Sequence, residues 1–255
     1  MPQELDVIYE GDCLDILPTL PDNSIDMILC DLPYGTTANE WDKPIDLGSL
    51  WQQYLRIAKP NTAIVLTAQG LFTHDLIESC RKYYRYSLIW QKTIPQGYLA
   101  ANVAPLRCHE DILVFYQTSP VYNPQKTRGN NRSSSKKVPG KNSNYGKVIR
   151  TLVKNDGSRY PTSIITIPNG NYRSVHPTQK PVTLFEYLIR TYTNPGAVIL
   201  DNCIGSGTTA VAAINAGRHY IGIEKNPEYV TIARNRAAEA HGQTKLSITE
   251  WEDGI

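Results

Sequence analysis

Ala197-Val198-Ile199-Leu200-Asp201-Asn202-Cys203-Ile204-Gly205-Ser206-Gly207-Thr208-Thr209 reads as a buried strand running into a tight glycine turn and then a helix start. An unbroken run of apolar residues marks a strand covered on both faces. Closely spaced glycines let the backbone turn sharply and let a ligand approach it. The N–H groups that open the next helix favour a ligand bearing negative charge. A second apolar run, Ile25-Asp26-Met27-Ile28-Leu29-Cys30, ends in Asp31-Leu32-Pro33-Tyr34, about 170 residues earlier. Both segments put polar chemistry just past the carboxyl end of a strand, where open α/β sheets hold their ligands. The apparent chemical site comes first and the apparent cradle near the end, so one domain has to bring them together.

Outward from these two runs, strand-like and helix-like segments alternate, the pattern of a mostly parallel sheet with helices on both faces. Strands are expected near Asp6 to Tyr9, Ile25 to Asp31, Ala63 to Thr67, Tyr86 to Lys92, Asp111 to Tyr116, Val198 to Asp201 and Tyr220 to Glu224. Seven strands suffice for one doubly wound sheet. Asn226-Pro227-Glu228 carries an N-cap, a proline at the first helical position and an acid in the first turn, and Gly217 stops the helix before it. Between Thr118 and Tyr172 the periodicity fades into Asn, Ser, Gly, Pro and Lys, as expected of a long insertion. A chain of 255 residues is long enough for one domain with such an insertion. The expected division is residues 1–117, the insertion 118–172, and residues 173–255 completing the first part.

Composition narrows the class. The net charge of +2 conceals an asymmetry: the insertion holds ten Lys and Arg (Lys126, Arg128, Arg132, Lys136, Lys137, Lys141, Lys147, Arg150, Lys154, Arg159) against one acid, Asp156. That is a local balance of +9, and the other 16 basic and 23 acidic residues leave −7 elsewhere. A basic segment, interleaved with Tyr122, Tyr145, Tyr160 and Tyr172, beside an acidic body points to a polyanion met by one face. A solvated loop is the plain alternative. No run approaches the roughly 18 apolar residues that span a bilayer, and Met1-Pro2-Gln3-Glu4-Leu5-Asp6 lacks the pattern of a secretory signal. Five cysteines, odd in number and without a C-x-x-C pair, suggest neither a disulfide framework nor a zinc site. Reduced thiols and a cytoplasmic setting are the expectation.

The cradle alone leaves its ligand open. Glu224 closes the next strand 19 residues after Gly205, where a carboxylate can accept both hydroxyl hydrogens of a ribose. Gly205-x-Gly207-x-x-Ala210 also fits a dinucleotide fingerprint, and a purely structural turn is a third reading. A dinucleotide fold needs further βαβ units after its glycines. Fewer than 35 residues follow Glu224, which favours a mononucleoside group.

Asp31-Leu32-Pro33-Tyr34 resembles the D-P-P-Y motif of the amino methyltransferases that modify adenine N6 or cytosine N4 in DNA. With His176-Pro177-Thr178-Gln179-Lys180-Pro181 and then the glycine turn downstream, the chain resembles their circularly permuted β class along nearly its whole length. The resemblance implies a Rossmann-like sheet of seven strands with permuted motif order. It also implies S-adenosyl-L-methionine as cofactor, double-stranded DNA as partner, the insertion as target-recognition region and no metal, and it is compatible with a homodimer. Leu32 stands for the motif's first proline, and Asn202 and Cys203 where the family often has Pro and Phe.

An exocyclic base amine is a weak nucleophile because its lone pair is delocalised into the ring, and acceptors on its hydrogens pull that pair out of conjugation. Asp31 and the carbonyl of Leu32 are the candidate acceptors, with Pro33 fixing the turn. Tyr34 offers a face on which an extruded base stacks. The resemblance assigns Asp12 and Cys13 to the adenine end of the cofactor, Thr178, Gln179 and Lys180 to its methionine end, and Asp201, Cys203, Gly205, Ser206, Gly207, Thr208, Thr209 and Glu224 to the cradle. A turn acid is the plain alternative for Asp12, and a strand-capping acid for Asp31. Adenine N6 is favoured because cytosine N4 members more often begin the motif with Ser. Cytosine N4, a structured RNA, and a catalytically silent DNA-binding protein are the alternatives.

Overall fold

The computed structural model describes residues 4–35, 43–129, 157–169 and 179–252, the last nine of these as helix backbone. In chain order the elements are β1 (Val7–Glu10), α1 (Cys13–Ile16), β2 (Ile25–Cys30), α2 (Leu47–Ile57), β3 (Ala58–Ala68), α3 (Leu71–Ser79), β4 (Tyr84–Gln96) and β5 (Arg107–Phe115). There follow β6 (Thr127–Arg128), β7 (Ser158–Arg159), β8 (Ile164–Thr166), α4 (Val182–Tyr192), β9 (Val198–Asp201), α5 (Thr208–Ala216), β10 (His219–Glu224) and α6 (Pro227–Glu252).

Two compact units emerge. Residues 1–123 with 163–255 form the larger, and Pro124–Thr162 the smaller. In the larger, eight strands among the described residues lie in the order β1-β10-β9-β2-β3-β5-β4-β8. The five from β1 to β3 are parallel, β5 is antiparallel to both β3 and β4, and β8 joins β4 in parallel. All seven expected strands form, and β8 is an eighth. Its three residues fall inside the expected insertion and are too short to show a period, and they attach to the sheet edge through Ile89–Ile164 to Gln91–Thr166. The smaller unit is accordingly narrower than residues 118–172. Asn123 belongs to the larger one, where its N–H donates to Thr191 O at 2.7 Å.

The apolar runs are continuous because the sheet is covered twice. Met27 and Leu29 of β2 pack with α4, α5 and α6, while Ile28 and Cys30 pack with α1, α2 and α3. The helix signals act as expected. Asn226 Oδ1 accepts the Glu228 N–H at 2.9 Å, and Gly217 ends α5 in the left-handed region with φ +69°. Among the described residues, no helix is long and apolar enough to cross a membrane.

The topology fixes the site. From β2 the chain crosses through α2 to β3 on one side, and from β9 it crosses through α5 to β10 on the other, yet β2 and β9 are neighbours, paired at Met27–Ile199 and Ile28–Leu200. The strand order therefore reverses between them, and at such a reversal the loops part to leave a crevice at the carboxyl ends. Asp31 follows β2 and Gly205 follows β9 into that crevice.

Candidate active site

Asp31, about a quarter exposed, collects donors from three elements. Its Oδ1 accepts from Tyr34 Oη at 2.8 Å and from the Thr67 hydroxyl at the end of β3, and its Oδ2 accepts from Lys180 Nζ at 2.6 Å. A carboxylate offers about four acceptor sites, so roughly one is left for an incoming N–H. Tyr34 packs its ring 5.1 Å from that of Phe72 and is held as a phenol, because burial first, and then the charges of Asp31 and Glu110, push its pKa well up. Its hydroxyl is thus a fixed donor to Asp31. Leu32 is buried between the β2 end and the helices below, and Pro33 is half-buried.

Lys180 does not wait free for a ligand carboxylate. Its ammonium sits between Asp31 and Glu110, 3.2 Å from Glu110 Oε2, and 5.6 Å from the Tyr34 ring centroid. Burial works to lower the lysine, but the two carboxylates outweigh it and leave its pKa raised, so it stays charged. Behind it, Glu110 Oε1 accepts from Lys92 Nζ at 2.5 Å, and Lys92 reaches Gln96 Oε1 at 2.5 Å. Thr67, Lys92 and Glu110 escaped the sequence reading. The signal available was a lysine and a glutamate inside two apolar strands, where charges persist only when paired.

The glycine turn is assembled from inside. Asp201, buried at the end of β9, accepts from the Cys203 N–H at 3.0 Å and from the Thr209 hydroxyl. Tyr54 donates to Asn202, and Ser206, also buried, meets Gln179 Oε1 at 3.4 Å and Arg236 at 3.1 Å. Thr208 Oγ1 lies 3.5 Å from the Lys180 carbonyl, so the segment before α4 is tied to the turn. Glu224 braces the turn from β10: Oε2 accepts the Gly205 N–H at 3.0 Å and Oε1 the Asn226 N–H at 2.8 Å, with half of its acceptor sites left over. A Cβ on Gly205, at φ +51°, would meet no protein atom closer than the Cys203 carbonyl at 4.0 Å, so its open side is a space that a ligand can fill. Asp12, exposed, caps α1 by accepting the Leu14 N–H at 2.9 Å. Thr178 lies outside the described residues.

Three of the cysteines scattered along the sequence converge beneath this turn. Cys203 shares thiol hydrogen bonds with Cys13 and Cys30; burial pushes Cys30 up to about 12, and the contact with Cys203 followed by burial raises Cys13. Raised in this way, the three remain thiols packed beneath the turn. Among the described residues no three His, Cys, Asp or Glu side chains are arranged to hold a metal ion.

Asp201 provides a pH test of this packing. Burial raises it from 3.8 to about 6, against the pull of Thr209 and the Cys203 N–H. The folded chain therefore holds a proton that the unfolded chain releases near pH 4, and the stability gained below that pH is lost as pH rises through about 6. Between pH 4.5 and 7, wild-type stability in urea should fall relative to Asp201→Asn by on the order of 2 kcal/mol. Parallel pH dependences in the two proteins would contradict a buried, protonatable Asp201.

In the smaller unit, Lys126 and Arg128 are exposed on and beside β6, which pairs with β7, and Lys126 Nζ lies 4.4 Å over the Tyr160 ring. Arg132, Lys136, Lys137, Lys141, Lys147 and Arg150 lie outside the described residues.

A family model described as DNA methylase matches residues 25–235. The Type II methyltransferase M.BglII of Bacillus subtilis is 30% identical over 258 residues, taking in 91% of this chain and 68% of that protein. The crystal structure of the M1.HpyAVI-SAM complex is 26% identical with a TM-score of 0.62, covering 90% of this chain and 97% of that one. The PvuII DNA methyltransferase (cytosine-N4-specific) shares the fold at 15% identity and a TM-score of 0.64, covering 92% and 91%.

Proposed function

The chain belongs to the N6/N4 DNA methylase family, and from that premise we propose that it transfers a methyl group from S-adenosylmethionine to the N6 amine of an adenine extruded from DNA. One observation carries the reading: the Asp31 carboxylate, with one acceptor site to spare, stands at the β2 end beside the glycine turn at the β9 end. The fit to the cofactor rests on the open side of Gly205, the spare acceptor sites of Glu224 for ribose hydroxyls, and the backbone N–H groups opening α5. When bound, the cofactor supplies an electrophilic methyl group on a sulfonium.

The chain's own residues act on the base. Asp31 accepts one amine hydrogen and the Leu32 carbonyl the other, which draws the nitrogen lone pair out of conjugation and aims it. Tyr34 and Thr67 hold the carboxylate in place through Oδ1, and the Tyr34 ring lies beside the base. After transfer the surplus proton leaves through Asp31. Asp201, Thr209, Ser206 and Asn202 shape the turn from within, and Cys13 and Cys203 floor it. Gln179 and Lys180 secure the segment that closes the methionine end, and Asp12 lies at the adenine end. Within the division into residues 1–117, 118–172 and 173–255, the part of the middle segment that forms the smaller unit grips DNA, Lys126 and Arg128 meeting phosphates. Extrusion is required because the amine inside a duplex is closed to in-line attack.

Adenine is preferred on the motif's leading Asp31. Incubating the protein with methyl-labelled cofactor and duplex DNA of mixed sequence, then digesting to nucleosides for mass analysis, is expected to yield N6-methyladenine. A product labelled only as N4-methylcytosine would defeat the base assignment. Cofactor binding without transfer would instead point to a silent DNA-binding protein.

A further inference from the structure

Four charges line up away from the crevice: Asp31, Lys180, Glu110 and Lys92. They alternate in sign, Lys92, Glu110 and Lys180 are buried, and the row ends at the exposed Gln96. Nothing in the transfer itself requires Glu110 and Lys92, and burying such a pair is costly even with its charges matched. The uneven distances are informative. Lys180 Nζ is 2.6 Å from Asp31 but 3.2 Å from Glu110 Oε2, and no donor meets that buried oxygen with hydrogen-bond geometry. Glu110 Oε2 thus meets the ammonium as an ion pair without a hydrogen bond, and a short swing of Lys180 away from Asp31 would complete one.

We propose that Glu110 and Lys92 are positioning residues that divide the Lys180 ammonium between two carboxylates, keeping Asp31 available as an acceptor for the substrate amine. This rests on the reading of Asp31 as the amine acceptor. A lysine paired with Asp31 alone would withdraw the charge that the amine's hydrogen must find. A Glu110 without Lys92 would take the lysine altogether. With both inner groups present the row is neutral, and when a base amine reaches Asp31, Lys180 moves toward the waiting Glu110 Oε2. The groups facing Asp31 are Lys180 ahead of α4, Tyr34 on its own loop, Cys30 of β2, Asp201 of β9 and Glu110 of β5 across the lysine, with Thr67 of β3 uncharged. Of these only Lys180 and Glu110 belong to the alternating row.

The test is the pH profile of kcat at saturating DNA and cofactor. Glu110→Gln removes a like charge and leaves Lys180 to Asp31, so the acid limb should move down by about one pH unit and plateau kcat should fall about tenfold. Both KM values should stay within about twofold. Lys92→Met leaves Glu110 uncompensated, so the limb should move up. If either single variant fails to fold, the pair Glu110→Gln with Lys92→Met removes one charge of each sign, and its limb should move down. A purely structural role lowers melting temperature without moving the limb. Limbs of the two single variants that stay in place or move in the same direction, a double variant whose limb stays or moves up, or failure of all three variants to fold, overturn the inference while wild-type turnover leaves the methyltransferase reading intact. A wild-type protein that methylates no base overturns both.

Discussion

Asp31→Ala is expected to lower kcat for methyl transfer by about a thousandfold while leaving cofactor affinity within about twofold. The asymmetry follows from where the side chain sits. Asp31 follows β2 and touches Tyr34, Thr67 and Lys180, whereas the turn proposed to hold the cofactor is braced by Asp201 and Glu224 from β9 and β10. Removing the carboxylate takes away the acceptor that prepares the amine and leaves the cradle intact. The fold should survive because Lys180 still has Glu110 within 3.2 Å. Asp31→Asn preserves shape and one acceptor but loses the charge. It should therefore recover little turnover, and that separates an electrostatic role from a packing one. Label transfer from the cofactor into DNA, with calorimetry on the same variants, measures both halves. A variant with wild-type turnover would remove Asp31 from the chemistry.

The two glycines of the turn should fail in different ways. Gly207 lies at φ +87°, and a Cβ there would stand 2.9 Å from Ala233 Cα and Cβ and 3.2 Å from its carbonyl, all within α6. A helix backbone cannot step aside as a flexible side chain does. Gly207→Val thus combines left-handed strain with overpacking, a loss of about 3 kcal/mol or more. Gly205→Ala adds its methyl to the open side of the turn, so the strain alone costs about 1–2 kcal/mol. Cofactor affinity should nonetheless fall at least about tenfold, since the methyl occupies the approach to the backbone. Urea unfolding and calorimetry together read this out: stability lost mainly at 207, binding lost at 205. Equal effects on both quantities at both positions would contradict the assignment of Gly205 to the ligand side.

The parts of this arrangement that were legible in the sequence are those written locally. The runs Met27–Cys30 and Val198–Leu200 are buried on both faces, and unbroken apolar residues announce that without any partner being known. The glycine turn, the cap at Asn226 and the stop at Gly217 follow from backbone chemistry within a few residues. That the ends of β2 and β9 adjoin was inferable only from the order of two motifs, and the strand pairing bears it out. Contacts made across the sheet left little trace. Lys180 pairs with Asp31 across 149 positions, and the Lys92–Glu110 pair depends on an antiparallel register between β4 and β5 that no local pattern encodes. The thiols show the same blindness: Cys13, Cys30 and Cys203 look scattered until the topology stacks their elements. β8 was missed because three residues carry no period and its stability comes from the edge of β4.

The most direct measurement is a structure of the protein with duplex DNA and an unreactive analogue of the cofactor. An adenine turned out of the helix is expected, its N6 within hydrogen-bond reach of both Asp31 and the Leu32 carbonyl, with the analogue's ribose on Glu224 and the Lys180 ammonium drawn toward Glu110. A base left stacked in the duplex, or held away from Asp31 while Lys180 stays paired with it, would contradict the account.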